Sequence, residues 1–361
     1  MKIGIVTFHK SYNYGSALQA YALQTYLSQK GYEVNIIDFI LIRDFQQYNL
    51  FRTHLYKIHP KVFIRDVRRL FRNIKRKNCF DRFSKKYFML SEKTYNEKSN
   101  LSELNQIYDC FICGSDQIWN LDCTGGVVPA FFLGFVEKDK KRIAYAPSIA
   151  HASFEGDVAE IKNYLDVFTA ISVREESTIP FVERYTKNKV MCTVDPTLLL
   201  DPKEYLKIAD IKDMETDYIF YYHLEDNEEM KKWCREFAKK RGLKIIYIYK
   251  DTIKEFKNAQ NVYGCSPESF MGYIYKAKYV ITNSFHATVF SILFKKQFVT
   301  FQTSNSAARM IDLLEYLELQ DRLFGNRFKM EKKIDYRRVF ANLQKYKEYS
   351  EIFIQQSLEE G

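Results

Sequence analysis

Short runs of β-branched and aromatic residues alternate with helix-length segments along this chain, and they do so in two blocks. The first block opens with Ile3-Gly-Ile-Val-Thr-Phe8 and passes through "HKSYNYGS" into a helix near 16–29 that Gly31 ends. It continues with "YEVNIIDF", "YDCFICGS", "RIAYAPS", a helix near 155–168, "AISVRE" and "KVMCTVD". The second block holds "YIFYYHL", a charged helix at 226–241, "LKIIYIYK", a helix near 267–276, "YVITNS", an apolar helix and "QFVTFQ". Between the blocks "DPTLLLDP" (195–202), with two prolines, reads as a linker. Parallel strands need a crossover to connect them, and a helix is the usual one. Each block therefore predicts a doubly wound, mostly parallel sheet. The expected architecture is α/β, with two doubly wound Rossmann-like domains facing a cleft. Residues 1–200 form the first domain, with a basic helical insert at about 44–100; residues 201–330 form the second, and 331–361 close the chain as helices. A length of 361 residues suits two cores better than one.

Composition narrows the function classes. At 46% hydrophobic and 28% charged, this is a folding chain. No stretch approaches the roughly 20 apolar residues that span a bilayer, and the opening Met-Lys followed by a strand lacks a signal-peptide pattern. A cytoplasmic protein is expected. Seven cysteines at irregular spacing suit a reducing compartment. Cys110 and Cys113 of "CFIC" have metal-like spacing, but three residues apart on a strand they point to opposite faces. All seven read as structural thiols, and no metal site is expected.

The net charge of +10 is uneven: residues 52–86 hold thirteen Lys or Arg against Asp66 and Asp81. Within that stretch Phe63, Val67, Leu70 and Ile74 fall on one helical face, with Arg65, Arg68, Arg69, Arg72 and Arg76 mostly on the other. A basic amphipathic helix at 62–76 suits an anionic membrane surface or an acidic lipid-linked or nucleic-acid partner. The plainer reading is a solvated face on a helix that packs inward.

The candidate site residues sit where strands end. In "NYGSALQAYAL" Asn13 leads in, Gly15 permits a tight turn and Ser16 caps the helix; the stretch is neither G-x-G-x-x-G nor a P-loop. In "CGSDQIWN" Gly114 and Ser115 turn the chain, and Asp116, Gln117 and Asn120 surround Trp119. That grouping suits a sugar ring, or equally an Asx-type turn with Trp119 in the core. In "ISVREES" Arg174 ends an apolar strand, as an anion-binding fork or as a surface partner of Glu175 or Glu176. In "ITNSFHATVFSILF" Asn283 and Ser284 are capping types and His286 falls in the first helical turn, where unpaired N–H groups favour an anion. A neutral core histidine is the alternative. "TSNSAARMIDLL" adds Asn305 and Arg309. Two arginines and a histidine at strand ends point to a small, doubly anionic ligand beside a general acid or base.

Six stretches in order, "TFHKSYNYGSALQAYAL", "GSDQIWN", "SVREES", "VDPTLLL", "TNSFHATVFSILF" and "NSAARMIDLLEYL", resemble the polysaccharide pyruvyl transferase family. The resemblance runs from residue 1 to about 320 and is weak between roughly 40 and 100. It implies a GT-B-like fold and transfer of a pyruvyl group from phosphoenolpyruvate to sugar hydroxyls, giving a cyclic ketal and phosphate. It implies no metal or organic cofactor and no nucleic acid, and an acceptor saccharide carried on a lipid at the inner membrane face. The first domain would take the acceptor and the second the donor. Arg174 and His286 fall on the family's donor-binding and catalytic positions. Asp116 is the candidate base for the acceptor hydroxyl, and Asn13, Gly15, Ser115, Gln117, Trp119, Asn120, Ser284, Asn305 and Arg309 are candidate substrate contacts. The chain has Ala287 where many members have Gly, and Ser284-Phe285 where some carry an arginine. Two rivals stand beside this reading: a GT-B-type glycosyltransferase using a nucleotide-sugar on the same scaffold, and a non-catalytic membrane or nucleic-acid adaptor driven by the basic segment.

Overall fold

The structure, a computed structural model, describes residues 1–44, 50, 61–150, 154, 158–250, 253, 256–303, 307–325 and 328–359. The chain divides into two compact units. Met1–Gln47, Lys86–Leu200 and Asn342–Gly361 form the first, and Tyr48–Lys85 with Asp201–Ala341 form the second.

The first unit carries β1 (Lys2–Val6), α1 (Tyr14–Gln29) and β2 (Glu33–Phe39). After α2 (Lys61–Tyr87), most of which belongs to the second unit, come β3 (Leu90–Tyr95), β4 (Cys110–Cys113) and β5 (Lys141–Ala144). Then follow α3 (Val158–Leu165), β6 (Ala170–Val173) and β7 (Val190–Cys192). The seven strands lie in the order β3-β2-β1-β4-β5-β6-β7, and every pairing is parallel. Burial on both faces explains why β1 and β4 read as unbroken apolar runs rather than alternating ones. Most of α1 is buried around its whole circumference, as expected of a helix sandwiched in the interior.

The second unit holds β8 (Tyr218–Tyr222), α4 (Glu228–Arg241), β9 (Lys244–Ile248), β10 (Ala259–Asn261) and α5 (Pro267–Lys276). It continues with β11 (Tyr279–Thr282), α6 (Phe285–Leu293), β12 (Gln297–Thr300) and α7 (Ala307–Tyr316), and α8 (Tyr336–Glu359) ends the chain. Its strands run β10-β9-β8-β11-β12, again all parallel. α4 shows a full set of end signals: Asn227 caps it, Glu228 and Glu229 lie in the first turn, Lys239, Lys240 and Arg241 in the last, and left-handed Gly242 stops it. Both sheets have the same winding, with the chain starting at a central strand, stepping outward one way and then crossing to the other side. The step reverses between β1 and β4 in the first unit and between β8 and β11 in the second.

Four expectations change. The "DPTLLLDP" stretch is only partly a linker: Leu198, Leu199 and Leu200 are buried in the first unit, and Asp195 caps a turn at Pro196–Leu198. The basic insert at about 44–100 stays with the first domain only at its ends, because Tyr48–Lys85 groups with the second unit. The chain end is one long helix whose last part, from Asn342, returns to the first unit. There Ser350 Oγ accepts from the Val194 N–H at 2.9 Å.

The fourth concerns α2, where the plainer reading of a helix that packs its apolar face inward holds only in part. Val62 and Asp66 are buried, while Phe63, Ile64, Val67 and Phe71 are 49%, 53%, 46% and 86% exposed. The helix backbone is fixed against Gly264, where a Cβ would come 3.2 Å from the Arg72 carbonyl oxygen, and by Arg76 over the Tyr263 ring at 5.7 Å. Those anchors turn the aromatic face outward. Among the described residues no helix is long and apolar enough to cross a membrane.

Candidate active site

In open parallel sheets ligands bind outside the carboxyl ends of the strands, at the point where the winding reverses. In the second unit that point lies between β8 and β11. Ser284 caps α6 there, its Oγ accepting from the Ala287 N–H at 3.4 Å. Thr282 holds the turn by accepting from the Ser284 N–H at 3.0 Å and donating to the Tyr222 carbonyl at 2.6 Å. His286 therefore occupies the second helical position and is 8% exposed. Its ring meets the Phe285 ring edge-on at 5.3 Å, and the guanidinium of Arg309, from the first turn of α7, lies 5.5 Å over that same Phe285. The structure thus brings Ser284, His286 and Arg309 together around one phenylalanine. Ala287 is wholly buried. Asn305 lies outside the described residues.

At the β8 end of the same reversal stands His223, which the sequence analysis did not select. It is buried, with Nδ1 at 3.3 Å from the Glu225 carbonyl oxygen and 3.8 Å from Asp226. Burial holds its pKa below the usual value, against the neighbouring Asp226 carboxylate and the Glu225 carbonyl, which favour the charged ring. A histidine after two tyrosines gives no motif, and only the strand order shows that this strand end is a switch point.

The first unit reverses between β1 and β4, and the "CGSDQIWN" loop begins there. Gly114 has φ +114°, and a Cβ on it would lie 2.1 Å from the Tyr145 carbonyl oxygen, so only glycine fits. Ser115 is wholly buried and stitches loops together: its Oγ donates to the Ala146 carbonyl at 2.6 Å, and its carbonyl accepts from Thr7 Oγ1 at 3.0 Å. Asp116 Oδ2 accepts from Ser16 Oγ at 2.5 Å, and Oδ1 accepts from the Gln117 N–H at 2.9 Å. The cap of α1 is Asn13, not Ser16, with Oδ1 accepting from the Gly15 N–H at 2.8 Å. Gly15 is inside the helix, and the left-handed residue of this loop is Tyr12, at φ +46°. Ser16 is thereby freed from capping to serve Asp116.

Trp119 is not available to a sugar. It is wholly buried, stacked on Phe132 at 5.3 Å, edge-on to Phe168 at 6.0 Å, with Nε1 donating to the Phe131 carbonyl at 3.0 Å. Asn120 caps a short helix at Leu121–Thr124 and donates to Gln117 Oε1 at 2.7 Å. These three residues hold the loop that presents Asp116.

Arg174 follows β6 and is buried rather than superficial. Nη1 donates to Asp195 Oδ2 at 2.8 Å, and Nε lies 3.5 Å from Glu175 Oε1, which also accepts from Ser148 Oγ at 2.5 Å. Burial alone would lower the arginine's pKa, but Asp195, Glu175 and Asp116 together raise it, so the guanidinium is firmly charged. A second buried pair lies at the ends of β1 and β2, where Asp38 meets His9 Nε2 at 2.9 Å, Lys10 Nζ at 2.7 Å and Thr94 Oγ1 at 2.7 Å.

Among the described residues no cluster of three or more His, Cys, Asp or Glu could hold a metal ion. Burial pushes the Cys110 thiol up to about 12 and Cys113 well above its usual value, which makes both poor ligands.

Comparison with known proteins adds three findings. A family model described as polysaccharide pyruvyl transferase matches residues 13–305. UDP-GlcNAc 2-epimerase from Neisseria meningitidis bound to UDP-GlcNAc is similar in structure, with a TM-score of 0.53 at 10% identity over 99% of this chain and 94% of that one. MnaA of S. aureus, solved with UDP, gives 0.52 at 10% identity over 99% and 90%. At that identity the likeness shows the fold alone, which is GT-B-like. No curated protein matches the chain by sequence.

Proposed function

The chain belongs to the polysaccharide pyruvyl transferase family, an enzyme family, and on that premise we propose that it moves a pyruvyl group from phosphoenolpyruvate to two hydroxyls of a saccharide. The products are a cyclic pyruvate ketal and phosphate. The observation that carries this reading is the convergence of Ser284, His286 and Arg309 around Phe285 at the switch point of the second unit. A helix start with an arginine and a histidine beside it suits a donor bearing a phosphate and a carboxylate.

The chemistry divides among these groups. A proton goes to the donor's methylene carbon, which leaves an oxocarbenium-like centre at C2. One sugar hydroxyl attacks C2 as its proton is removed. A second hydroxyl then closes the ring as the C2–O bond to phosphate breaks; phosphate leaves with the bonding electrons, and the hydroxyl's proton passes to it. His286 is the proposed proton donor, to carbon or to departing phosphate, a role typically worth 10²–10⁴-fold in rate. Arg309 and Arg174 are the proposed anion contacts, the latter kept charged and fixed by its carboxylate partners. Asp116, its carboxylate held by Ser16 and the Gln117 N–H, is the proposed base toward the acceptor hydroxyl. No metal or organic cofactor enters this scheme.

The acceptor is proposed to be a repeat unit of a cell-surface polysaccharide, carried on a lipid diphosphate. The exposed row Arg68, Arg72 and Lys75 runs beside the exposed Phe63, Ile64, Val67 and Phe71 on α2. Apolar and cationic stripes side by side suit the anionic face of a membrane, where a cytoplasmic enzyme would meet such a substrate.

The test is thermal stability with and without phosphoenolpyruvate, joined to turnover of His286→Ala. Ligand at 100 times its dissociation constant adds about 2.7 kcal/mol to the folded state. A shift with phosphoenolpyruvate, and loss of turnover in a normally folded His286→Ala, are expected. A shift with a nucleotide-sugar and none with phosphoenolpyruvate would instead mark a glycosyltransferase.

A further inference from the structure

His223 sits at the carboxyl edge of β8, the central strand of the second sheet, directly after Tyr222, which pairs with Thr282 of β11. It is 6% exposed. Its Nδ1 faces the Glu225 carbonyl oxygen, which can only accept, so in the neutral ring Nδ1 carries the proton. Nε2 is then the atom left to bind, and it is buried without a hydrogen-bond partner among the described residues. An unmatched buried nitrogen is costly, and folds keep such atoms mainly where something offsets the cost.

Its surroundings are built rather than incidental. The ring lies between Tyr221 and Tyr249, at centroid distances of 5.3 and 4.6 Å. Asn283, immediately before the Ser284 cap of α6, accepts from the Leu224 N–H at 2.8 Å and donates to the Glu225 carbonyl at 2.7 Å. The Glu225 carbonyl thus anchors both the His223 ring and the turn that launches His286. Two histidines therefore flank one switch point, each at a strand end of the pair whose winding reverses.

We propose that His223 is a second ligand-binding side chain of this unit, its Nε2 meeting a phosphoryl oxygen of the donor. The neutral ring accepts from a protonated phosphoryl oxygen and the charged ring donates to an anionic one, so the bonded atom is the same in either state. The proposal rests on the phosphoenolpyruvate reading above and adds to it a contact on the β8 side.

The experiment measures binding of phosphoenolpyruvate, and separately of inorganic phosphate, by calorimetry to the full chain and to His223→Phe. Phenylalanine keeps a ring between the two tyrosines and removes the nitrogen. The expected result is phosphoenolpyruvate binding at least tenfold weaker in the variant, with the ligand-free melting temperature kept. Equal binding overturns the proposal. If wild type ignores phosphoenolpyruvate, the donor reading fails, and inorganic phosphate then decides for His223: binding lost in His223→Phe keeps the residue as a phosphoryl contact, and binding unchanged removes it. Binding of neither probe overturns both. If His223→Phe does not fold, the ¹⁵N resonance of His223 Nε2 in wild type, assigned with His223→Gln, must move on adding phosphoenolpyruvate; an unmoved resonance overturns the proposal.

Discussion

Arg174 donates to Asp195 across 2.8 Å, with their side chains only 2% and 0% exposed. The pair does structural work whatever ligand it meets, because Asp195 also accepts from the Thr197 N–H at 3.0 Å and from Thr197 Oγ1 at 2.6 Å. Removing the guanidinium leaves Asp195 and Glu175 buried without their counter-charge. Arg174→Ala is expected to lose about 3–5 kcal/mol in urea unfolding at neutral pH. A loss below about 1 kcal/mol, the range of exposed pairs, would mean that the burial of this pair does not matter to the fold. Turnover lost in Arg174→Ala would therefore report folding as well as the proposed donor contact, and Arg174→Lys is the cleaner kinetic variant.

His223 should also show itself through pH. Burial, helped by the charges of Lys231 and Lys250, keeps its folded pKa below the ordinary 6.5 although Asp226 pulls the other way. As pH falls below 6.5 the unfolded chain takes up a proton that the folded chain does not. Stability from this group is thus full above that value and declines below it, by at most about 1.4 kcal/mol per pH unit, until the folded value is reached. Wild type should lose melting temperature relative to His223→Phe between pH 7.5 and 5. Parallel curves would show a ring that titrates alike in both states.

The surface of α2 predicts a third result. Vesicles containing anionic lipid should co-sediment the protein at low salt, and neutral vesicles should not. Replacing Arg68, Arg72 and Lys75 with Gln should abolish binding, at about 1 kcal/mol per charge near an anionic surface. Phe71→Ser should weaken it at every salt concentration, since Phe71 is 86% exposed and its loss alters no charge. Binding indifferent to both changes would leave α2 as a solvated helix face.

Alternation of short apolar runs with helical segments carried the fold class into view, because a parallel sheet buries both faces and its strands show as continuous hydrophobic stretches. The capping role of Ser284 was equally plain. Positions that depend on distant contacts were not. The apolar spacing of α2 groups Phe63 with Val67 but leaves open whether that face packs inward or meets a membrane, and only packing against Gly264 and Tyr263 settles that both are exposed. Trp119 has polar neighbours in sequence and aromatic neighbours in space. Ser16 has the right chemistry for a cap and is used by Asp116 instead. His223 depends on strand order, which no local pattern carries. The junction placement of His286 and Arg309 was legible, because a short apolar strand running into a helix is a local pattern.

The chain passes between its two units four times, so neither is a contiguous stretch. During synthesis the first unit has most of its sheet long before Asn342–Gly361 emerges, yet those last residues supply the Ser350 partner of Val194 and the Leu358 carbonyl that Lys141 reaches at 2.6 Å. The second unit is already fully translated by then. The unit that begins first is therefore completed after the second, and loss of Asn342–Gly361 would damage the first unit rather than the second.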